Sequence, residues 1–166
     1  YEFFENICNK YKYDYLATAH TKNDLAETFL LNLFRGSGLH GLTSIPIRRK
    51  IAKNSFVIRP LIHFTKKELI NYTELRSLKW VEDKTNEDII FTRNKIRNIL
   101  IPEIEENYNP NFVNTIERTS SIIKSTNQFV SDYTEANFKK IFITNSQNYV
   151  EINSQFLDSY PEIIQN

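Results

Sequence analysis

The sequence predicts an α/β protein, in which a partial parallel sheet with flanking helices is followed by a mainly helical segment. Two strand-to-helix steps predict the sheet, because each begins with a short apolar run that leads through a polar turn into a helical pattern. They are residues 13–19 into 24–35 and residues 55–61 into 65–78. Asn109 followed by Pro110 predicts the start of a long helix, since Asn caps helices and Pro suits their first turn.

Local signals predict the remaining elements. Thr65 and Glu68 have the spacing of a capping box, which fixes the start of the helix after the second strand. In the region after residue 90, apolar spacing predicts a helix with Ile96 and Ile99 on its inward face. This helix is predicted to span residues 91–106. The other predicted elements are a helix at residues 1–12, a hairpin of residues 139–144 and 149–152, and a helix from Pro161.

Composition favours a soluble globular protein. The chain of 166 residues is 40% hydrophobic and 25% charged, with a formal net charge of +1. No apolar run approaches the length of a membrane span, so we expect a cytoplasmic protein without a membrane partner. The single cysteine, Cys8, excludes an internal disulfide framework and a CxxC metal site, and its apolar neighbours at helical spacing predict a buried thiol.

The first strand-to-helix step carries the strongest candidate site. His20, Asp24 and Glu27 follow the strand, and ligands of open α/β sheets bind at the carboxyl ends of strands. Asp24 and Glu27 share one helix face, so these carboxylates predict a site for a bound amine, cation or metal. The alternative is structural, with Thr21 and Asp24 as a capping pair and Glu27 as an acid that the helix dipole favours.

The three glycines of the chain lie within six residues of one another, just after this helix. Gly36 follows Arg35 as an ordinary helix stop would. Because Gly38 and Gly41 lie so close to it, we expect a loop through Ser37 whose backbone N–H groups approach a ligand such as a phosphate.

Positive charge is concentrated in the middle of the chain. Residues 28–67 contain eight Lys or Arg residues and no Asp or Glu, and Arg48-Arg49-Lys50, followed by Lys53, is the densest part. Such a block predicts contact with a polyanion, and a solvated loop that binds nothing is the alternative.

A second group of basic residues lies further along the chain. Arg93 and Arg97 are one helical turn apart, with Asn94 beside them. Two guanidinium groups at this spacing can hold a phosphate through paired hydrogen bonds. Solvation of an exposed helix face is the alternative.

These segments together resemble the tRNA(Ile)-lysidine synthetase family of the PP-loop ATP pyrophosphatase superfamily. HTKNDLAET at residues 20–28 resembles the family's HHxDDQxET segment, and RGSG at residues 35–38 is the same in both. Three further matches follow in the family's order: RPL at residues 59–61, WVEDKTN at residues 80–86 and RNKIR at residues 93–97. The order and spacing of the matches make the resemblance specific.

The chain departs from the family pattern in two respects. Thr21, Asn23 and Leu25 replace a histidine, an aspartate and a glutamine, so the acidic segment has lost one charge. The superfamily's SGGxDS phosphate loop does not occur in the sequence. We therefore expect the chain to be a fragment that lacks this loop and is inactive by itself.

The resemblance implies an ATP- and Mg²⁺-dependent ligase. The reaction adenylates the C2 carbonyl oxygen of the wobble cytidine in tRNA(Ile) with a CAU anticodon, and the ε-amine of free L-lysine then displaces AMP. By the same resemblance, residues 1–108 would be the C-terminal part of the adenylating domain. Residues 109–166 would be a helical linker and the start of an accessory tRNA-binding domain. A homodimer is the expected assembly.

The resemblance and the residue types together assign roles. We expect catalysis by His20, Asp24 and Glu27, with Asp24 and Glu27 binding the lysine substrate. The expected ATP or phosphate ligands are Arg35, Gly36, Ser37, Gly38, Arg93, Asn94 and Arg97, and the expected tRNA contacts are Arg48, Arg49, Lys50 and Lys53. No metal ligand is assigned. Two other functions stay open: a tRNA thiolation ligase of the same superfamily, and a non-catalytic tRNA-binding protein.

Overall fold

The computed structural model describes residues 2–52, 54–81, 91–145 and 150–152. The predictions for Lys53, for most of the segment at residues 80–86 and for the helix from Pro161 lie outside the described residues. In chain order the elements are α1 (Glu2–Tyr11), β1 (Tyr15–Ala17), α2 (Lys22–Phe34), α3 (Leu39–Leu42), β2 (Arg48–Lys50), β3 (Phe56–Ile58), α4 (Lys66–Leu75), α5 (Thr92–Lys95), a π-helical turn (Ile96–Leu100), α6 (Ile101–Asn107), α7 (Phe112–Ile141), β4 (Phe142–Asn145) and β5 (Val150–Ile152).

The chain divides into two compact units, Tyr1–Ser121 and Ile122–Asn166. The first unit contains both predicted strand-to-helix steps, which confirms the α/β fold class. In the second unit, β4 and β5 pair as antiparallel strands, which confirms the predicted hairpin. Its first strand begins at Phe142 rather than at residue 139, because α7 extends to Ile141. The functional boundary expected after residue 108 stays a prediction.

The sheet of the first unit has the strand order β1-β3-β2. β1 and β3 are parallel, with Leu16 opposite Val57, as expected from the two strand-to-helix steps. β2 is antiparallel to β3, with Arg49 opposite Val57, so the sheet is mixed and residues 48–50 form a strand rather than a loop. β2 has a strand on one side only within the described residues, and exposed basic side chains are tolerated on such an edge because they stay in water.

The core of the first unit lies around α2. Leu25, Ala26, Phe29 and Leu30 of this helix are buried, as is the thiol of Cys8 on α1, so the prediction of a buried cysteine is confirmed. Apolar residues from β3, the π-helical turn, α6 and α7 are also buried: Val57, Ile96, Ile101, Val113 and Ile116. Among the described helices, none is both long and apolar enough to cross a membrane.

The helix predicted at residues 91–106 is interrupted by the π-helical turn. The N–H of Ile101 donates to the carbonyl of Ile96, five residues earlier. Pro102 has no N–H and its ring would collide with the carbonyl four residues before it, which favours such an irregularity. The turn shifts the helix register by one residue. Ile96 and Ile101 are therefore both buried, whereas Ile99 is 54% exposed and its predicted inward position is wrong.

Candidate functional site

The first turn of α2 is fixed by a capping box. The backbone N–H and the hydroxyl of Thr21 both donate to Oδ2 of Asp24 at 2.8 Å. In return, the N–H of Asp24 donates to Oγ1 of Thr21 at 3.5 Å. The structural alternative for Thr21 and Asp24 is thus present in the geometry. It occupies only one carboxylate oxygen of Asp24.

The other carboxylate oxygens of this helix face two arginines. Arg93 donates through Nε to Oε2 of Glu27 at 2.8 Å, and Arg97 donates through Nε to Oε1 at 2.7 Å. Nη2 of Arg97 also reaches Oε2 of Glu27 at 3.0 Å. Oδ1 of Asp24 accepts from Nη2 of Arg93 at 3.0 Å and from Nη2 of Arg97 at 3.3 Å. We call Asp24, Glu27, Arg93 and Arg97 the ion cluster.

Burial differs strongly within the ion cluster. The side chain of Glu27 is 1% exposed, those of Asp24 and Arg97 are 19% and 29% exposed, and that of Arg93 is 41% exposed. A carboxylate as buried as Glu27 stays charged in a folded protein only when it is paired and hydrogen-bonded, and here both of its oxygens are. The hydrogen bond to Glu27 raises the pKa of Arg97, although burial opposes the shift. Two acids and two bases leave the cluster formally neutral.

His20 lies beside this cluster, three residues after β1 ends. Its Nδ1 is 2.8 Å from the hydroxyl of Thr18, whose N–H donates to the carbonyl of Ile58 on β3. Burial lowers the pKa of His20, and the nearby charges of Arg59 and Arg93 lower it as well, while Asp24 acts in the opposite direction. The net lowering favours a neutral imidazole near pH 7, which is the form that can accept a proton.

The structure brings together only part of the predicted site. Asp24, Glu27, Arg93 and Arg97 meet in the ion cluster, with Asn94 partly buried on α5 between the two arginines. The arginines expected to hold phosphate are thus engaged by the carboxylates expected to hold an amine. Their roles toward lysine and phosphate stay predictions.

Residues 35–38, which we call the glycine segment, lie at the C-terminal end of α2. The ion cluster lies at its N-terminal end, and a helix of this length is about 20 Å long. Gly36 has a φ of +71°, as expected for a left-handed helix stop. The N–H groups of Arg35, Gly36 and Ser37 already donate to carbonyls of α2. A Cβ at Gly41 would lie 2.6 Å from Cβ of Ser37, so close packing explains that glycine. Phosphate binding by residues 35–38 stays a prediction, and these residues do not join the ion cluster.

The basic residues of the block at residues 28–67 have different surroundings in the structure. Arg48, Arg49 and Lys50 form β2, which we call the basic strand, and all three are exposed. The guanidinium of Arg48 lies 3.6 Å from the ring centroid of Phe56. Arg59, by contrast, is buried and donates from Nη1 to the carbonyl of Pro46 at 2.6 Å, so it is not part of an exposed basic surface.

Sequence reasoning missed a second charged group beside the site. Lys22, the first residue of α2, contacts Asn114 and Glu117 of α7, and Glu117 also contacts His63. The sequence separation of 92 positions between Lys22 and Asn114 leaves no local signal for this contact. The only signal in the sequence was that Lys22 lies within residues 20–28, the segment that contains the candidate site.

Comparison with known proteins gives the family. The model of the PP-loop domain family matches residues 1–104, which is more than half of the chain. This chain belongs to the PP-loop domain family. The match spans the ion cluster, the glycine segment and the basic strand.

Curated relatives share much of the sequence. The tRNA(Ile)-lysidine synthase of Clostridioides difficile (strain 630) is 37% identical over 92% of this chain and 32% of its own length. The enzyme of the same name from Chlorobaculum tepidum is 39% identical over 78% of this chain and 38% of its own length. The enzyme of the same name from Coxiella burnetii is 43% identical over 64% of this chain and 23% of its own length. The chain spans about a third of the length of the first two relatives and less of the third.

A solved structure has a similar fold. The U34-tRNA thiolase NcsA from Methanococcus maripaludis superposes with a TM-score of 0.56, covering 74% of this chain and 41% of that chain. At 20% sequence identity, the likeness concerns the fold alone.

Proposed function

We propose that the protein carrying this chain is a tRNA(Ile)-lysidine synthase. In the proposed reaction, the C2 carbonyl oxygen of the wobble cytidine in tRNA(Ile) with a CAU anticodon attacks the α-phosphorus of ATP and pyrophosphate leaves. The ε-amine of free L-lysine then attacks C2, the amine loses a proton, and AMP leaves. The names of the curated relatives support this proposal, and the family supports the use of ATP.

The observation that carries the proposal is the ion cluster. It joins two short segments, residues 20–28 and 93–97, at the carboxyl end of β1, and its residues Glu27 and Arg93 are 66 positions apart. They are two of the five segments in which the sequence resembles the lysidine-forming family. A charged cluster at this end of a parallel strand pair is in the place where α/β sheets bind ligands.

The two carboxylates have different accessibility, and we assign them different parts. Asp24 is partly exposed, so it is the carboxylate that a lysine ammonium can reach. Glu27 is buried and holds both arginines, which keeps their guanidinium groups beside Asp24. Neutral His20 accepts a proton from the attacking amine, because burial favours its unprotonated form.

ATP supplies the adenylyl group. Arg93 is the most exposed member of the ion cluster, and its guanidinium is the group we assign to the phosphate of ATP. Among the described residues, no group of three or more His, Cys, Asp or Glu side chains could hold a metal ion, so we assign no described residue to Mg²⁺. The basic strand is proposed to contact tRNA phosphates. We also propose a cytoplasmic location, where tRNA is modified.

The test is lysine transfer by the purified natural protein that carries this chain. We expect labelled lysine to enter tRNA(Ile) with cytidine at the wobble position, and not a transcript with uridine there. Asp24→Asn should abolish lysine transfer and leave tRNA-dependent pyrophosphate release largely intact, whereas Glu106→Gln, at an exposed acid of α6, should change neither. A folded wild-type protein that transfers no lysine would refute the proposal. Incorporation of sulfur in place of lysine would favour a thiolation ligase.

A further inference from the structure

Lys22 lies in an unusual position for a lysine. It is the first residue of α2, where the helix dipole disfavours a positive charge. Its side chain is only 12% exposed, so its ammonium group has lost much of its contact with water. Neither condition favours lysine locally. The interactions that offset them must come from elsewhere in the fold.

These interactions come from α7. Nζ of Lys22 donates to Oδ1 of Asn114 at 2.7 Å and lies 3.1 Å from Oε2 of Glu117. The other carboxylate oxygen of Glu117 lies 2.6 Å from Nδ1 of His63. Burial by itself would raise the pKa of Glu117, but the hydrogen bonds from His63 and Lys22 outweigh it and the net shift is downward. Glu117 therefore carries its negative charge toward Lys22.

The same turn of α2 is held at two more points. The backbone N–H of Lys22 donates to the carbonyl of Phe64 at 2.9 Å. Oδ1 of Asn23 accepts from the N–H of Lys66, the first residue of α4, at 2.8 Å. The start of α2 is thus fixed to the start of α4 and to α7 on one side, while Asp24 faces the two arginines.

We propose that Lys22 is a positioning residue for the proposed reaction. Its pairing with Glu117 and Asn114 holds the turn that contains Thr21, so that Asp24 keeps its place in the ion cluster and His20 its place beside the cluster. This inference rests on the proposed lysine ligation for its kinetic consequence. Its structural consequence, a fixed environment for His20, can be measured without that activity.

Kinetic measurements on the natural protein test the first consequence. Lys22→Met and Glu117→Gln should each lower kcat for lysine transfer by about tenfold to a hundredfold, with KM for tRNA changed less than about twofold, because small displacements of catalytic groups cost this much. The double variant should be no slower than Lys22→Met, since both changes break one link. Lys22→Arg keeps the positive charge and can donate to Glu117, so its kcat should stay within about threefold of the wild-type value. Lys124→Met, at an exposed lysine of α7, is the matched control and should behave as wild type.

The imidazole resonances of His20 in NMR spectra test the second consequence. They should shift in Lys22→Met and Glu117→Gln, and stay in place in Lys124→Met. If Lys22→Met does not fold, Glu117→Gln gives the same comparison. Unchanged His20 resonances would overturn the inference. So would a loss of kcat that is fully explained by the fraction of the variant that is unfolded. An inactive wild-type protein in which the His20 resonances shift as expected would refute the proposed function and leave the positioning role supported.

Discussion

The ion cluster and the basic strand carry the same side-chain type in opposite surroundings. In the ion cluster, Arg93 and Arg97 are bound to a buried glutamate at 2.7–3.0 Å. In the basic strand, the guanidinium of Arg48 lies on an aromatic ring and all three side chains are exposed. The buried charge of Glu27 therefore stabilises the first region, whereas the charges of the second region lie at the surface. The sequence alone marked both regions as ligand sites without this distinction.

The strongest test of the comparison is the removal of the charge of Glu27. Glu27→Gln leaves two arginines facing a neutral amide at a buried position, so it should lower the free energy of unfolding by on the order of 3 kcal/mol. Denaturant unfolding of the natural protein measures this, with Glu106→Gln as the exposed control. An acid favoured only by the helix dipole, the structural alternative for Glu27, would contribute about 0.3 to 1 kcal/mol, and the burial of Glu27 between two arginines contradicts so small an effect. A change below about 0.5 kcal/mol, the usual range for surface substitutions, would show that the cluster does not stabilise the fold.

A double-mutant cycle sharpens the same point. Arg97→Met and Glu27→Gln should be coupled by about 1 to 3 kcal/mol, because each change removes the same ion pair and the double variant loses that pair only once. The free energies of unfolding of the two single variants and the double variant give the coupling. Additive changes would mean that the hydrogen bonds between these residues contribute nothing beyond each side chain alone.

Glu117 predicts a smaller, pH-dependent effect. Its pKa in the folded protein is lowered from the ordinary value of 4.5, so its charge stabilises the fold above that value. This contribution disappears as the pH falls through the lowered folded pKa. Wild type should thus exceed Glu117→Gln in unfolding free energy by up to about 1 kcal/mol at pH 6, and the difference should shrink as the pH falls below 4.5. A difference that grows toward acidic pH would contradict the lowered pKa.

The smallest effects on stability are expected in the basic strand. Arg48→Ala removes a contact with the ring of Phe56 and should cost about 0.5 to 1 kcal/mol, whereas Arg49→Ala should cost less. Successive strand residues point to opposite faces, so Arg48 and Lys50 share one face and Arg49 lies on the other.

The same alternation predicts unequal contributions to tRNA binding. If phosphates lie along one face of the strand, changing Arg48 and Lys50 together should reduce the slope of log affinity against log salt by about two units, and Arg49→Ala should leave it nearly unchanged. Filter-binding measurements at several salt concentrations give these slopes. Unchanged slopes in all variants would show that the basic strand does not contact tRNA.

The amino-acid sequence by itself determined the local elements of this protein. The capping boxes at Thr21 and Thr65, the buried thiol of Cys8 and the strand-to-helix steps all depend on residues a few positions apart, so their patterns are visible in one dimension. The sequence also pointed to the correct members of the ion cluster. It did not show that the two carboxylates pair with the two arginines, and it assigned the carboxylates and the arginines to separate ligands.

Tertiary structure alone decided those pairings. Glu27 and Arg93 are 66 positions apart, and Lys22 and Asn114 are 92 positions apart, so their contacts depend on how the helices pack and not on local spacing. The burial that turns Glu27 into a structural charge depends on the same packing, because water is excluded only after the elements meet. The antiparallel placement of β2 is also a tertiary result, since its basic residues carry no apolar alternation and form a strand by pairing with β3.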